Sequence, residues 1–292
     1  MKTSDTIIYY LQLWALKAVA LMPFWLLYLF SDIIRFVLER VLKYRRRIID
    51  ENLASSFPDK SQNELAQIKS EFYAHLSDLI VETIKLLHIS DKSLDRRIEV
   101  VNAGLVDEIE AEGKSSILFL AHYCNWEWVP DVARFYTPEM HSYHVYKKMH
   151  SVVSDRLFLK IRSRFASVGI PQHDVVREVL RMHSEGEHFQ IGFISDHRSN
   201  GKQSHHYVDF LNHHTPINDV GEALGRRCGS RFVYLDVSKP RRGHYRMEFK
   251  EIRPDDPTAP MAYTKSYFDM LQQTIRRQPA YWLWSHRRWL YK

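Results

Sequence analysis

Hydrophobic positions divide the chain into an apolar N-terminal stretch and a longer body in which two periodicities alternate. Residues 6–30 read TIIYYLQLWALKAVALMPFWLLYLF, and Lys17 is the only charged residue among them. A helix that crosses the hydrocarbon core of a bilayer needs about 20 mostly apolar residues. The stretch is long enough, but Lys17 and Pro23 interrupt it. Three interpretations are therefore open: a membrane span, a helix in the membrane interface, and a buried pair of core helices.

The segment that follows the apolar stretch is basic. After the amphipathic sequence IIRFVLERVL, residues 43–47 read KYRRR. Basic clusters beside membrane segments are typical of the cytoplasmic side, where they also meet anionic head groups. No small-x-small cleavage site of a secretory signal follows the apolar stretch. We therefore expect a membrane anchor with a basic juxtamembrane helix at residues 1–48, facing the cytoplasm, and a second unit at residues 49–292.

The second unit alternates between helical and extended patterns. Apolar residues recur with helical spacing from Lys60 to His88, and short β-rich runs then take turns with helical ones. The predicted strands are Ser116–Ala121, His141–Tyr146, Gln190–Ser195, Phe232–Val237 and Tyr245–Lys250. The predicted helices are Leu105–Glu112, Trp126–Phe135, Ser151–Phe165, Val175–Ser184, Val220–Arg227 and Met261–Arg277. This alternation predicts an α/β fold with a mixed, largely parallel sheet that helices flank on both faces.

Composition narrows the class of protein. With 45% hydrophobic and 26% charged residues among 292, the chain is too apolar to be disordered and too charged to be a polytopic membrane protein. The 41 Lys and Arg residues exceed the 35 Asp and Glu residues, which gives a net charge of +6 and favours acidic partners. Cys124 and Cys228 are the two cysteines, too few for a disulfide framework or a four-thiolate zinc site.

One loop carries the clearest chemical signal. The strand SILFLA runs into His122-Tyr123-Cys124-Asn125-Trp126-Glu127, after which a helix is predicted. Ligands of parallel sheets bind at the carboxyl ends of strands, where His122 would lie. A turn could bring the Glu127 carboxylate to one imidazole nitrogen, which fixes the tautomer and leaves the other nitrogen to accept a proton. His122 would then be a general base for an alcohol, whereas the alternative is a histidine that merely caps the helix.

Five segments, in order and spacing, resemble the late lipid A acyltransferases, the lauroyl- and myristoyl-transferring branch of the glycerolipid acyltransferase superfamily. The likeness covers nearly the whole chain. The segments are YRRRIIDENLASSFPDK, AHYCNWEW with the H-x4-D/E motif, HVYKKMHS with the following RSRF, GFISDHR, and PAYWLWSHRRW. Each block alone is unspecific, but together they make the match specific.

The resemblance implies transfer of a fatty acyl group, usually from acyl carrier protein, to a hydroxyl of a phosphorylated saccharide lipid at the inner membrane. Coenzyme A is the alternative carrier of the donor. By analogy His122 is the base and Glu127 its orienting partner. The arginine of the third block falls on Arg164, with Arg162 as its rival, and would hold a phosphate of the acceptor or of the donor's phosphopantetheine arm. A thioester is already activated, so we expect no metal and no cofactor.

Two further residues are assigned to substrate binding. Lys147 stands where this family commonly has arginine, so phosphate recognition and acceptor choice are expected to differ there. Asp196 follows the strand QIGFIS at the functional edge of the sheet, where it would organise the site or simply pair with an arginine. Ala166 and Ser167 replace the usual glycines after RF, which leaves the geometry of that loop open.

Other patterns have plainer interpretations. Adjacent histidines are poor chelators, so we expect no metal at His205, His206, His213 and His214. The aromatic and basic C-terminus favours a head-group belt or plain packing over nucleic-acid binding. Cys124 is expected to pack rather than act as a nucleophile. Two alternative functions stay open: an acyltransferase for an amino-acid lipid or a lysophospholipid, and a non-catalytic, membrane-anchored lipid-binding protein of the same fold.

Overall fold

Helices and strands alternate along most of the chain, as the hydrophobic periodicity predicts. The structure, a computed structural model, describes residues 3–162, 165–196 and 206–289. The helices are α1 (Thr3–Leu21), α2 (Phe24–Phe36), α3 (Arg46–Ser56), α4 (Gln62–Lys85), α5 (Asp91–Asp95), α6 (Gly104–Ala111), α7 (Val152–Arg162), α8 (Val175–Ser184), α9 (Val220–Arg227) and α10 (Ala262–Arg277). The strands are β1 (Ile98–Val101), β2 (Ser116–Leu120), β3 (His141–Tyr146), β4 (Val168–Pro171), β5 (Phe189–Ile194), β6 (Tyr207–Phe210), β7 (His213–Pro216), β8 (Arg231–Arg241) and β9 (His244–Glu251).

Seven strands form one mixed sheet in the order β1-β9-β8-β2-β5-β3-β4. Every neighbouring pair is parallel except β8 and β9, which form an antiparallel hairpin. Strands β6 and β7 form a separate two-stranded hairpin. The predicted α/β fold with a largely parallel sheet is therefore confirmed. Because β2 and β5 lie side by side at the centre, the loops that leave their carboxyl ends lie at the same edge.

The structure departs from the predicted elements where local geometry overrides periodicity. The helix predicted at Trp126–Phe135 is a 3-10 helix at Val129–Arg134, since the residues before it form a tight loop. Cys124 adopts a left-handed conformation just before the predicted start (φ 52°), and residues 126–128 form a turn in place of the first helical turn. The strands that the sequence analysis did not identify have four residues each, too few for a periodic signal.

The N-terminal helices expose much apolar surface. Among the described residues, no single helix has both the length and the hydropathy of a membrane span, but Asp5–Leu21 and Phe24–Val41 together have both, as a pair bent by 117°. The exposed large apolar side chains of this pair include Ile7, Leu11, Trp14, Leu21, Trp25, Leu29, Ile33, Phe36 and Val41. Helix α2 also packs on the body, because Ser31 donates to Asp78 of α4 (2.8 Å). The division between residues 48 and 49 stays a prediction.

Helix α4 packs against the loop that follows β2, at residues 121–128. Ser61 caps it: its Oγ accepts from the backbone N–H of Glu64 (3.3 Å), and the Glu64 carboxylate accepts from the Ser61 backbone N–H (2.8 Å). One face of α4 then buries His75, Asp78 and Glu82 as well as apolar side chains. Buried polar groups need hydrogen-bond partners. The groups on this face of α4 therefore restrain the loops that supply those partners.

Candidate active site

His122 and Asp196 meet because their strands are neighbours. In the parallel pair β2 and β5, Leu120 lies opposite Ile194, so the residues two positions further along, His122 and Asp196, leave the sheet side by side. The backbone N–H of Ser195 donates to the carbonyl of Leu120 (3.0 Å) and keeps the two chains in register past the strand ends. Nδ1 of His122 lies 2.8 Å from Oδ1 of Asp196.

This contact determines which imidazole nitrogen carries the proton. An ionised carboxylate only accepts hydrogen bonds, so Nδ1 donates to Asp196 and Nε2 holds the lone pair. Asp196 is buried (2% exposed), and its other oxygen accepts from the indole N–H of Trp282 (2.8 Å). The Trp126 ring lies edge-on to the imidazole at 5.2 Å between ring centres. His122 therefore has the tautomer and the fixed orientation of a general base.

Glu127 pairs with a different group from the one that the sequence analysis assigned to it. Its two carboxylate oxygens accept from Nε (2.9 Å) and Nη2 (2.7 Å) of Arg162, at the end of α7. The carboxylate on Nδ1 of His122 belongs to Asp196, so the predicted orienting role falls to Asp196 in this geometry. The physical reason is strand order: the sheet places Asp196 beside His122, although it is 74 residues away in sequence.

The guanidinium of Arg162 stays charged in this position. Burial disfavours its charged form, but the hydrogen bonds and the negative charge of Glu127 prevail and raise the pKa of Arg162. Burial, together with the positive charge of Arg162, lowers the pKa of His144 to about 4, so His144 is neutral at ordinary pH. A bidentate carboxylate leaves Nη1 of Arg162 outside the pair, which suits the binding of an anionic oxygen.

His122 and the Glu127–Arg162 pair line one cavity of about 890 Å³. Lys147, Arg162, Glu127 and His122 contribute polar groups to its wall. The apolar lining includes Leu118, Leu120, Val129, Val132, Phe193 and Ile194. This volume lies in the range of cavities that hold a substrate of moderate size, and the mixed lining suits a ligand with an apolar chain and a polar head.

Hydrogen bonds to α4 hold the loop between His122 and Trp128 in place. His75 Nε2 lies 3.1 Å from the carbonyl of Cys124, and Asn125 donates to the buried Glu82 (2.7 Å). The Trp128 indole donates to the backbone carbonyl of Glu82 (3.2 Å). These contacts hold the strained turn at Cys124. Burial raises the pKa of the Cys124 thiol well above its ordinary value, so a thiolate nucleophile is disfavoured and a packing role is favoured.

The C-terminal segment supports the same loop from the other side. The backbone N–H of Leu283 donates to the carbonyl of His122 (3.1 Å), and the N–H of Cys124 donates to the carbonyl of Tyr281 (3.0 Å). Trp282 and Trp284 are buried rather than exposed in a head-group belt, which agrees with the packing interpretation. Sequence analysis missed the bond from Trp282 to Asp196, because the only signal was a tryptophan within an aromatic run.

The remaining predicted site residues are placed as follows. Arg164 lies outside the described residues, as does His205, so of the two rival arginines only Arg162 has a described position. His213 stacks on Trp289 at 3.9 Å, and His214 stacks on Tyr207 at 4.7 Å. Within the ranges that the structure describes, no group of three or more His, Cys, Asp or Glu side chains is arranged to hold a metal ion.

The largely parallel α/β sheet places an imidazole and a carboxylate at adjacent strand ends, beside a large cavity, and this arrangement suits a histidine that acts as a base. Residues 1–291 match the family model described as bacterial lipid A biosynthesis acyltransferase. The chain therefore belongs to that family and is an acyltransferase, which confirms the resemblance seen in the sequence. No curated protein matches the chain.

Proposed function

We propose that this acyltransferase moves a fatty acyl group from acyl carrier protein to a hydroxyl of a phosphorylated lipid A precursor. The reaction takes place at the cytoplasmic face of the inner membrane. The observation that carries this proposal is His122 on the wall of the large cavity, oriented by its contact with the buried Asp196, in a chain of the lipid A acyltransferase family. The imidazole supplies a base of the right tautomer, and the cavity supplies room for an acyl chain.

In the proposed reaction, Nε2 of His122 takes the proton from the acceptor hydroxyl. The oxygen attacks the thioester carbon, a C–O bond forms, and the carbonyl electrons move onto oxygen. When this oxyanion collapses, the C–S bond breaks, and the leaving thiolate takes the proton from the imidazolium. Asp196 stabilises the imidazolium while it exists. No metal, nucleotide or redox step is needed, because the thioester is already activated.

Arg162 is the proposed phosphate-binding residue. Glu127 accepts hydrogen bonds from two of its nitrogens, so the orientation of the guanidinium is restrained before substrate arrives. A rigid, charged fork loses little freedom on binding a phosphate of the acceptor or of the phosphopantetheine arm. Lys147, on the wall of the same cavity, adds a second positive charge for that anion.

The N-terminal helix pair is the proposed membrane-binding element. Its exposed large apolar side chains are numerous, and such surface is costly in water. The basic residues 43–47 follow directly and favour anionic head groups. A lipid acceptor could then reach the cavity without leaving the bilayer surface.

Two measurements test the function. Mass spectrometry of lipid A from cells with and without the gene should show one acyl mass lost from lipid A in its absence. Unchanged lipid A together with an altered amino-acid lipid or lysophospholipid would replace the proposed acceptor. Assays with acyl carrier protein and coenzyme A thioesters in parallel decide the donor.

The base is tested with purified protein. His122→Ala should lower turnover by at least about 10²-fold while leaving the fold intact, since general base catalysis contributes factors of this size. His188→Ala is the matched control, because His188 precedes β5 at the opposite edge of the sheet and pairs with Glu110. Near-wild-type turnover of His122→Ala would refute the assignment.

A further inference from the structure

The C-terminal segment contributes two groups to the environment of the His122–Asp196 pair. The indole N–H of Trp282 donates to Oδ2 of Asp196 (2.8 Å), while Oδ1 faces Nδ1 of His122. The Arg288 side chain is buried (3% exposed) and lies over the rings of Phe210 and Phe268, at 5.3 and 5.4 Å from their centres. Among the described residues, none of its guanidinium nitrogens has a hydrogen-bond partner.

A buried guanidinium without hydrogen bonds is costly, so its charge must be balanced through space. Burial lowers the pKa of Arg288 to about 10, against which the negative charge of Asp196 is the main opposing effect. Arg288 therefore stays positive near neutral pH and acts on the same carboxylate that Trp282 bonds. Trp282 and Phe210 are also in contact, with ring centres 5.7 Å apart, which ties the two groups into one cluster.

We propose that Trp282 and Arg288 are positioning residues of the reaction: they hold Asp196 as an ionised carboxylate aimed at His122 and thereby set the pH at which His122 becomes a base. This inference rests on the proposed function, since it concerns the base of that reaction. Trp282 acts by a directed hydrogen bond to the carboxylate, and Arg288 acts by its positive charge. Neither residue is required to touch a substrate.

Removing Trp282 or Arg288 should shift the pKa of the His122–Asp196 pair in the same direction, whichever of the two residues holds the proton. Protonation adds a positive charge to the pair, and nearby positive charges or N–H dipoles oppose it. Removing either contribution must raise the proton affinity of the pair. The active form, with neutral imidazole and ionised carboxylate, then appears only at higher pH. A residue that merely supports packing would lower activity at every pH without moving this limb of the profile.

Other ionisable groups surround the pair and stay unchanged in the test. His286 lies on the same C-terminal segment, and burial lowers its pKa. Tyr267 of α10 donates to the carbonyl of Leu120, and burial raises its pKa well above its ordinary value. Glu127, Arg162, His206 and Asp219 line the same cavity as His122. The comparison of variants therefore isolates the two groups that are altered.

The chain offers a matched control for the tryptophan. Trp284 is two residues away and fully buried, its ring contacts Trp282 at 4.7 Å, and its indole donates to the backbone carbonyl of Pro279 instead of to Asp196. Trp282→Phe and Trp284→Phe remove equal ring area and one hydrogen bond each. The two substitutions differ in whether that bond reaches the catalytic carboxylate.

The experiment measures kcat/KM against pH for the full chain in detergent, with Trp282→Phe, Trp284→Phe, Arg288→Met and Arg288→Lys. We expect the acid limb to move upward by about one pH unit in Trp282→Phe and Arg288→Met. It should stay in place in Trp284→Phe and in Arg288→Lys, which keeps the charge. Arg288→Met should also unfold at no lower temperature than wild type, because it removes a buried cation without hydrogen bonds.

A second readout does not require the acceptor to be known. The NMR titration of the His122 imidazole carbons, assigned by comparison with His122→Ala, should show the same displacement of the midpoint in the same variants. Unchanged midpoints in both Trp282→Phe and Arg288→Met would overturn the inference, as would an equal shift in Trp284→Phe. If wild type transfers no acyl group to lipid A while the midpoints still move, the proposed function fails and the electrostatic inference holds.

Discussion

The site contains two buried carboxylates, Asp196 and Glu127, whose partners give them different capacities. Asp196 faces His122, and an imidazole can accept a proton on one nitrogen while the other holds its hydrogen bond. Glu127 faces Arg162, whose guanidinium keeps its charge under all ordinary conditions. The first pair can therefore carry a proton during a reaction, whereas the second can only hold a fixed positive charge in place. The chemistry of a carboxylate here depends on its partner more than on its position in a sequence motif.

The largest expected effect comes from the pair that carries the proton. Asp196→Asn should lower kcat by about 10²–10⁴-fold, because the amide can present an N–H to Nδ1 and reverse the tautomer of His122. Stopped assays at saturating donor and acceptor measure this loss, and circular dichroism checks the fold.

Glu127→Gln is the direct comparison for that substitution. If it lowered kcat as much as Asp196→Asn is expected to, while Asp196→Asn kept wild-type turnover, Glu127 would be the orienting residue that the H-x4-E motif suggests. The contrast between the two carboxylates would then be wrong.

The pair that holds a fixed charge should affect binding more than turnover. Arg162→Lys removes the planar guanidinium, and Glu127→Gln weakens the ion pair that orients it. Each substitution should lower kcat/KM by about 10- to 100-fold, mostly by raising KM for the phosphorylated substrate. Because the two residues act as one unit, the double substitution should cost little more than the larger single one.

An acceptor analogue without its phosphate supplies the control for Arg162. On that analogue, Arg162→Lys should resemble wild type if the acceptor phosphate is the group bound. An equal loss on both acceptors would assign Arg162 to the donor arm. A loss in kcat alone, with KM unchanged on every substrate, would contradict the binding role.

The sequence predicted the sheet better than the contacts at its edge. The β-rich runs between helical patterns predicted the long central strands, because five or six consecutive residues suffice for such a run. His122 and Asp196 were each placed at the end of a strand, but strand order is a non-local property, and only the β2–β5 pairing shows that they meet. The nearer carboxylate, Glu127, was therefore assigned to the imidazole.

The same limit applies to the supporting residues. Trp282 and Trp284 are indistinguishable in the sequence, and only the packing of the C-terminal segment shows which indole reaches Asp196. For the apolar N-terminus, the sequence left three interpretations open. Which faces of α1 and α2 are exposed depends on how they pack against α4, and the sequence does not show that packing. Residue types could be assigned to a site, whereas their partners required the fold.

The smallest expected effect tests whether the N-terminal helices influence the catalytic loop. The Tyr28 hydroxyl of α2 donates to Glu82 (2.9 Å), the buried carboxylate that also accepts from Asn125 in the loop. Tyr73 makes the comparable link from α4, donating to the backbone carbonyl of Tyr44 (2.7 Å), which does not involve that carboxylate. Both Tyr28→Phe and Tyr73→Phe should lower the free energy of unfolding by about 1 kcal/mol, the net value of one hydrogen bond.

Only Tyr28→Phe should also change catalysis, lowering kcat about two- to five-fold, because a less restrained Glu82 holds Asn125 and hence His122 less firmly. Chemical denaturation and initial rates in vesicles of zwitterionic and anionic lipid measure the two effects on the same preparations. Equal kcat values for the two variants would mean that α4 and the C-terminal segment hold the loop without a contribution from the N-terminal helix pair.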